Sequence, residues 1–173
     1  MAESDDDSIA DTQLIISAQF ATNSLVIPLE NPLWQYACQV YSMVGVEAAL
    51  LVLQDEQGAD INLILQALWL ASEGRAWTKE CIPAGYEKWM VEQVLPLRQM
   101  RRSMKVDWVG YEDFRQQVKT LELKAEQYAL GMLYVSSHQE MKGEAGSVVA
   151  NLTLLAERSN VLLEAFDQLI LLV

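Results

Sequence analysis

The chain is poor in the residues that interrupt helices. Its 173 residues include only 4 prolines and 8 glycines, while hydrophobic residues make up 51%. Sparse breakers over this length favour long helices over many short strands. The apolar content excludes a wholly disordered or low-complexity chain. The length corresponds to one domain, or to one core with an appended element.

Cysteine and long apolar runs are also scarce. The chain has two cysteines, Cys38 and Cys81, and no Cys-x-x-Cys pair, which excludes a four-cysteine zinc site. We expect both thiols to be buried and reduced. No apolar run reaches the ~18 residues of a membrane-spanning helix, and the acidic start lacks the order of a signal peptide. These features predict a cytoplasmic protein without a membrane-inserted segment.

Positive charge is the next scarcity. Lys and Arg number 12 against 24 acidic residues, so the formal net charge is −12. This balance argues against nucleic acid as a partner, because binding to phosphates needs clustered cations. The sequence contains no P-loop, no Gly-x-Gly-x-x-Gly and no Gly-x-Ser-x-Gly. The single histidine, His138, is expected at a solvated helix end. We therefore predict no cofactor, no metal and no catalytic residue.

The helix signals begin after an acidic tail and an apolar arm in residues 1–30. Asn is a strong N-cap and Pro suits the first helical position, so Asn31-Pro32 predicts a helix that ends at Gly45. The next predicted helix covers 46–57, with Gly58 as a left-handed stop.

A third predicted helix is the centre of the core. Asp60 is its expected N-cap, and it runs to about Glu73 with apolar residues on almost every side. A fourth predicted helix covers 83–105, with a kink at Pro96 because proline removes a backbone hydrogen bond. These helices make up a predicted domain over 31–108.

The C-terminal part, 109–173, has the most regular apolar spacing. Apolar residues recur every three or four positions over 111–135 and again over 148–173. Two such seams joined by a short connection predict a long antiparallel helical hairpin packed on the first domain. Its register pairs Leu121 with Leu162 and Val118 with Phe166.

The last predicted helix carries a second apolar line with a seven-residue spacing. Because the hairpin seam does not use this line, it predicts either packing on the N-terminal helices or a homodimer. The line consists of Val149, Ala156, Leu163 and Ile170.

The acidic stretch around Gly58 invites comparison with a cation-binding loop. Counting from Asp55, Asp60 falls where an EF-hand loop requires glycine, so that pattern fails. Helix capping by Asp60 is the favoured interpretation. Asn62 and Gln66 lie one turn apart on the most apolar helix, where buried amides usually bond the backbone. The alternative is a small polar pocket, with the candidate residues Asp55, Asp60, Asn62, Gln66 and Trp69.

A cationic strip lies on one side of the fourth helix. Spacings of three and four align its members, and they are four of the chain's 12 basic residues. One interpretation is that they pair with the chain's own acids; the other is a docking strip for an acidic or phosphate-bearing partner. The strip consists of Arg98, Arg101, Arg102 and Lys105.

Two stretches resemble a known family. These are residues 31–71, which contain QDEQGADINLILQALW in the pattern QDxxGxDxNLxLxxLW, and residues 94–105, VLPLRQMRRSMK. They are similar to an uncharacterised proteobacterial family of small helical proteins, a domain of unknown function. The resemblance covers roughly 31–105 and implies a helical bacterial cytoplasmic protein. It implies no activity, substrate or cofactor.

The sequence thus predicts an all-α protein with an N-terminal four-helix region and a long C-terminal hairpin. Its expected function is that of a non-enzymatic interaction protein, an adaptor or regulator of an unidentified protein partner. The alternative is a small-molecule-binding or enzymatic helical bundle with a pocket near Asp55, Asp60, Asn62 and Trp69. A thermal-shift screen distinguishes the two functions, because a saturable ligand-induced shift in the melting temperature would favour the pocket.

Overall fold

The computed structural model describes residues 26–139 and 145–173. The described residues are helical with no β-strand, and their one extended pairing is an isolated bridge between Arg75 and Ala145. The all-α prediction is therefore confirmed.

The first and third helices begin at the predicted caps, and the second has the predicted bounds. They are α1 (Pro32–Tyr41), α2 (Val46–Gln57) and α3 (Ile61–Ser72). The Asn31 side chain accepts a hydrogen bond from the Trp34 amide at 2.9 Å, and Asp60 accepts one from the Asn62 amide at 2.9 Å. Gly58 ends α2 in the left-handed conformation, with φ of 67°. Only the end of α1 differs from the prediction, because it stops at Tyr41 and a turn leads to Gly45.

Helix α3 is the centre of the core, as predicted. Every residue from 61 to 70 is buried. A helix that is apolar on all sides needs cover from several neighbours, and α3 packs against α1, α2 and two later helices.

The predicted fourth helix contains a wide turn. It comprises α4 (Tyr86–Trp89), a π-helical turn (Met90–Val94) and α5 (Leu95–Asp107). The Leu95 amide donates to the Met90 carbonyl, five residues back. This irregularity directly precedes Pro96, whose ring would clash with the preceding turn of a regular α-helix.

The C-terminal part departs from the predicted hairpin. Helix α6 (Glu112–Gln139) has 28 residues and agrees with the first arm. The second arm is wrong, because α7 (Val148–Ser159) ends early. A 3-10 turn (Leu163–Phe166) and the short α8 (Asp167–Ile170) follow it.

The cause of the early end is local. Asn160 takes the left-handed conformation, with φ of 53°, and its amide donates to the Ala156 carbonyl. Asparagine tolerates this conformation better than most residues do. The chain then turns, and Val161, Phe166 and Leu169 are buried in the main core beside α2.

Helix α7 packs along α3 and not in register along α6. The predicted pair Leu121 and Leu162 is wrong, since these side chains are 58% and 71% exposed. The side chain of Asn151 holds α7 in place from a fully buried position. It donates to the Ala67 and Arg75 carbonyls at 3.0 Å each and accepts from the Trp77 amide at 2.9 Å.

The predicted dimer line is not a continuous surface. Ala156 is 3% exposed, and Leu163 and Ile170 pack against the core beyond the end of α7. Val149 alone among the four is largely exposed, at 51%. The seven-residue spacing forms one line only on a continuous helix, and the turn at Asn160 ends that helix.

The described part of the N-terminal arm lies against α6. Gln127 donates to the Leu29 carbonyl at 3.1 Å and to the Glu30 carboxylate at 2.9 Å. A Cβ on Gly131 would lie 2.4 Å from the Ile27 side chain, so glycine permits this close approach. The predicted acidic tail and the rest of the arm, 1–25, lie outside the described residues.

The helices were also tested by length and hydropathy for membrane-spanning character. Within 26–139 and 145–173, no single helix meets the test; α1 and α2 meet it only as a pair, and the two are bent by 100° at their junction.

Candidate functional site

One cavity lies where two of the predicted residue sets meet. It has a volume of about 610 Å³, and residues of α1, α2, α3, α5 and α6 line it. Asp60 and Asn62 lie at the start of α3, and three arginines of the cationic strip project from α5. The polar wall of the cavity consists of Tyr41, Glu47, Gln54, Asp60, Asn62, Arg98, Arg101, Arg102, Lys119, Glu122 and Glu126.

Two arginines of α5 and two glutamates of α6 form a charged cluster on one side of the cavity. Arg98 bonds Glu122 at 3.3 Å through Nε and Glu126 at 2.5 Å through Nη2. Arg101 makes a two-pronged contact with Glu122, through Nε and through Nη2, the latter at 3.0 Å. The side chains of Arg98 and Glu122 are 14% and 7% exposed. Charges this sheltered from water are costly to separate.

Burial and charge act in opposite directions on this cluster. Burial raises the pKa of Glu126 above its usual range, although Arg98 favours the carboxylate. Burial lowers the pKa of Arg98, but the bonds to Glu126 and Glu122 outweigh it and the net shift is upward. The hydrogen bond to Glu122 raises the pKa of Arg101. Both arginines therefore remain cationic, and at Glu126 the effect of burial outweighs that of the neighbouring arginines.

A second polar pair lies at the start of α3. The Tyr86 hydroxyl donates to the Asp60 carboxylate at 2.9 Å, beside the N-cap bond. Burial raises the pKa of Asp60 against the effect of these hydrogen bonds. Burial and the neighbouring Asp60 both raise the pKa of Tyr86. Asp60 thus has two structural roles, as the cap of α3 and as the acceptor that ties α4 to it.

Tyr41 adds a third perturbed group to the cavity wall. Burial, followed by the charges of Glu126 and Glu47, raises the pKa of its phenol to about 12. Its hydroxyl makes no hydrogen bond with any described residue. It is therefore available to a bound molecule.

The mouth of the cavity carries charges with weaker attachments. Arg102 pairs with Asp55 at 2.7 Å, and both side chains are about half exposed, at 50% and 51%. Lys119 is exposed and forms no ion pair with any described residue. Two leucines at the mouth, Leu51 and Leu123, are 40% and 52% exposed. The mouth therefore combines exposed cations with uncovered apolar surface.

The structure brings together only part of the predicted pocket set. Asp60 and Asn62 line the cavity. Asp55 is not part of the lining, but it forms an ion pair with Arg102, which is. Gln66 does not line it, because its side chain is fully buried between α3 and α6. It donates to the Cys81 carbonyl at 3.0 Å and to the Ser137 hydroxyl at 2.9 Å, and it accepts from the Trp77 indole at 3.0 Å. The expectation that a buried amide bonds its surroundings is confirmed for Gln66.

Trp69 lies near the far end of α3, outside the lining of the cavity. Its ring stacks on His138 at 6.3 Å and packs against Tyr134 at 5.7 Å. Two turns of helix separate it from Asn62, which is why the two do not share a pocket.

The expectation that both cysteines are buried is wrong, since Cys38 is exposed and Cys81 is buried.

The cationic strip is divided between the interior and the surface. Arg98 and Arg101 pair with acids of the chain itself, Glu122 and Glu126. Arg102 is half exposed, and Lys105 is exposed without an ion pair to any described residue.

Sequence reasoning missed the glutamates that complete the cluster. Glu122 and Glu126 lie one turn apart, as do Arg98 and Arg102. Helices α5 and α6 are joined by a short turn at Gly110 and must run antiparallel. Arg98 and Glu122 lie at equal distances from Gly110, and this match was a signal for Glu122. The position that matches Glu126 is Val94, so the spacing does not indicate Glu126.

The donor set of the cavity does not suggest a metal centre. Among the described residues, no group of three or more histidine, cysteine or acidic side chains is placed to hold a metal ion. The acids of the cavity instead face arginines and a tyrosine. This arrangement can recognise charge and hydrogen-bonding groups on an organic molecule.

Comparison with known proteins gives one match, and it covers the helices that line the cavity. No curated protein and no solved structure matches the chain. A family profile matches residues 32–133, more than half of the chain, from α1 into α6. The match extends beyond the stretch at 31–105 that carried the resemblance, and it includes the residues of the cavity. The chain belongs to the family described as "Protein of unknown function (DUF2390)".

Proposed function

We propose that the protein binds a small molecule in the cavity between α1–α3 and the α5–α6 pair. The observation that carries the proposal is the convergence of two residue sets on one cavity. The start of α3 supplies Asp60 and Asn62, and α5 supplies Arg98 and Arg101. Concave sites with a few convergent polar groups and shifted pKa values are the usual binding sites of small proteins.

The size and lining of the cavity support this proposal. Its volume of about 610 Å³ lies within the ~300–1,000 Å³ of ligand pockets. Trp34, Ile61 and Leu65 contribute apolar wall next to the polar groups. Such a lining fits a molecule with both an apolar and a polar part.

Filling the cavity mouth tests this proposal. The Leu123→Trp variant should obstruct the cavity, while Leu121→Trp is the matched control. Both leucines lie on α6 and have similar exposure, at 52% and 58%, but only Leu123 lines the cavity. The experiment is a thermal-shift screen of metabolite-like compounds, nucleotides, phosphates and divalent metals against the wild type and both variants.

A saturable upward shift in melting temperature, kept by Leu121→Trp and lost by Leu123→Trp, supports the proposal. A screen without a shift, or shifts that both variants retain equally, contradicts it. On α2, the pair Leu51→Trp and Val52→Trp provides an independent repeat, since Leu51 lines the cavity and its exposed neighbour Val52 does not.

A second candidate function is that of an adaptor, which a separate observation favours. The apolar seam of α6 has two lines. Val118 and Ala125 are buried, whereas Phe114, Leu121 and Tyr128 are 53%, 58% and 38% exposed. A seven-residue repeat of exposed apolar side chains is typical of a helix that packs against a partner. The line continues into exposed Trp108 and Tyr111, whose rings are 5.9 Å apart.

The same leucines test this candidate in the opposite sense. A photo-crosslinking residue at Leu121 should capture a defined protein partner in cells, and a photo-crosslinking residue at Leu123 should not. Leu121→Glu should then abolish co-purification of that partner, while Leu123→Glu should leave it intact. Capture at both positions, or at neither, contradicts docking through this line.

A further inference from the structure

We propose that the cavity takes an amphiphilic carboxylate, a molecule with one negative charge and a hydrocarbon or aromatic tail. This inference rests on the proposed ligand-binding function and specifies the chemical class. The arrangement of cations, of carboxylates and of apolar wall each contributes to it.

The cations of the cavity have hydrogen-bond donors to spare. Arg98 and Arg101 use Nε and Nη2 on the two glutamates, and their Nη1 groups bond no described residue. Lys119 has no ion pair among the described residues, and Arg102 holds Asp55 in a half-exposed pair. Spare guanidinium and ammonium donors on the wall of a cavity are suited to an oxyanion.

The carboxylates of the cavity limit the charge of that anion. Both oxygens of Glu122 accept bonds from Arg98 or Arg101, and Glu126 bonds Arg98. The lining holds four acidic side chains, Glu47, Asp60, Glu122 and Glu126, against four basic ones, so the acids balance the positive charge. Burial also raises the pKa of Glu126 and of Asp60. A single negative charge fits this balance, whereas a dianion such as a phosphate monoester would be repelled more strongly.

The apolar wall of the cavity determines the chemistry of the ligand's tail. Leu51 and Leu123 stand exposed at the mouth, and Ile61, Leu65 and Leu130 continue the apolar lining inside. Burying this surface under a tail gives about 25 cal/mol per Å² of apolar area. A free inorganic anion has no tail, so it would not bury this apolar surface.

The experiment uses four probes that share a ten-carbon tail and differ in the head group, so that the effect of charge on affinity can be separated from that of the tail. Calorimetric titration of the full chain uses decanoate, decanol, decyl phosphate and decyltrimethylammonium, all below their micelle concentrations. Decanoate should bind most tightly. Removing one charge-assisted contact by Lys119→Ala or Arg102→Ala should weaken decanoate about tenfold and leave decanol unchanged. Lys124→Ala is the control, because Lys124 is an exposed cation on α6 that bonds Gln127 outside the cavity lining.

The outcomes separate the ligand class from the proposed function. Decanol or the ammonium probe binding as tightly as decanoate overturns the carboxylate assignment, and so does decanoate binding that neither Lys119→Ala nor Arg102→Ala weakens. Tighter decyl phosphate binding overturns the monoanion argument. If no decyl probe binds but another compound gives a shift that Leu123→Trp removes, the class is wrong and the ligand-binding function stands. If nothing binds, both fail.

Discussion

Two regions of the molecule carry regular apolar spacing and differ in how much of it is buried. In α3, ten consecutive residues are buried. In the outer part of the α5–α6 pair, between Arg101 and Leu121, only Met104 and Val118 are buried, and these two lie outside the main core. We call this stretch, 101–121, the outer hairpin.

The difference follows from the number of neighbours. Helix α3 is covered by α1, α2, α6 and α7, whereas the outer hairpin packs mainly on itself. Apolar spacing determines which side of a helix seeks cover, but burial requires another element to lie there. The last helix was expected to cover α6 and instead joined α3, so one line of the α6 seam remains exposed.

The two described phenylalanines test this contrast most strongly. Phe166 is 1% exposed in the core and Phe114 is 53% exposed on the outer hairpin. Phe166→Ala should lower the free energy of unfolding by about 3–5 kcal/mol, because it leaves a cavity. Phe114→Ala should change it by less than ~1 kcal/mol. Urea denaturation of both variants measures the difference, and equal losses would mean that a partner or a second copy covers Phe114.

The charged cluster marks the boundary between the two regions. Arg98→Ala should cost about 3 kcal/mol, because it leaves Glu122 and Glu126 sheltered from water without this partner. Arg102→Ala should cost less than ~1 kcal/mol, since its pair with Asp55 is half exposed. Chemical denaturation at low and high salt checks both values. A loss below ~1 kcal/mol for Arg98→Ala would contradict the structural role of the cluster.

Asp60 tests how the core helix starts. Asp60→Ala removes the N-cap, at a cost of about 1 kcal/mol, and leaves the Tyr86 hydroxyl without its acceptor, at a further cost of about 1 kcal/mol. Asp60→Asn keeps an acceptor for the Asn62 amide and should lose less. Thermal melting with and without Ca²⁺ or Mg²⁺ provides the control. A cation-dependent shift in the wild type that Asp60→Ala removes would contradict the capping role.

The smallest expected effect is a pH dependence at Tyr41. Its folded pKa of about 12 lies above the ordinary value of 10.0, so the unfolded chain ionises first. The stability contributed by this group is complete below pH 10.0 and is lost as the pH rises towards about 12. Comparing unfolding free energies of the wild type and Tyr41→Phe from pH 9 to 11 isolates it. Parallel curves would mean that the phenol is solvated.

The site could be predicted in part from local signals. Asp60 and the arginine spacing were identifiable because caps and helix faces depend on neighbouring residues. Glu122 alone carried a signal, its match with Arg98 across the turn at Gly110. Glu126 and Tyr41 could not be assigned, because their roles arise from contacts with helices distant in sequence. Trp69 was grouped with Asn62 because the two share a face of α3, although two turns of helix separate them.

The sequence by itself determined the all-α class, the start of α1, the bounds of α2 and the central place of α3. Each of these depends on caps, on stop glycines or on a helix too apolar to face water. Tertiary structure alone decided that α7 packs on α3, that the chain turns at Asn160 and that α5 and α6 enclose a cavity with α1–α3. The physical reason is competition, because several apolar faces could pair and the pairing is set by the total burial of all helices together.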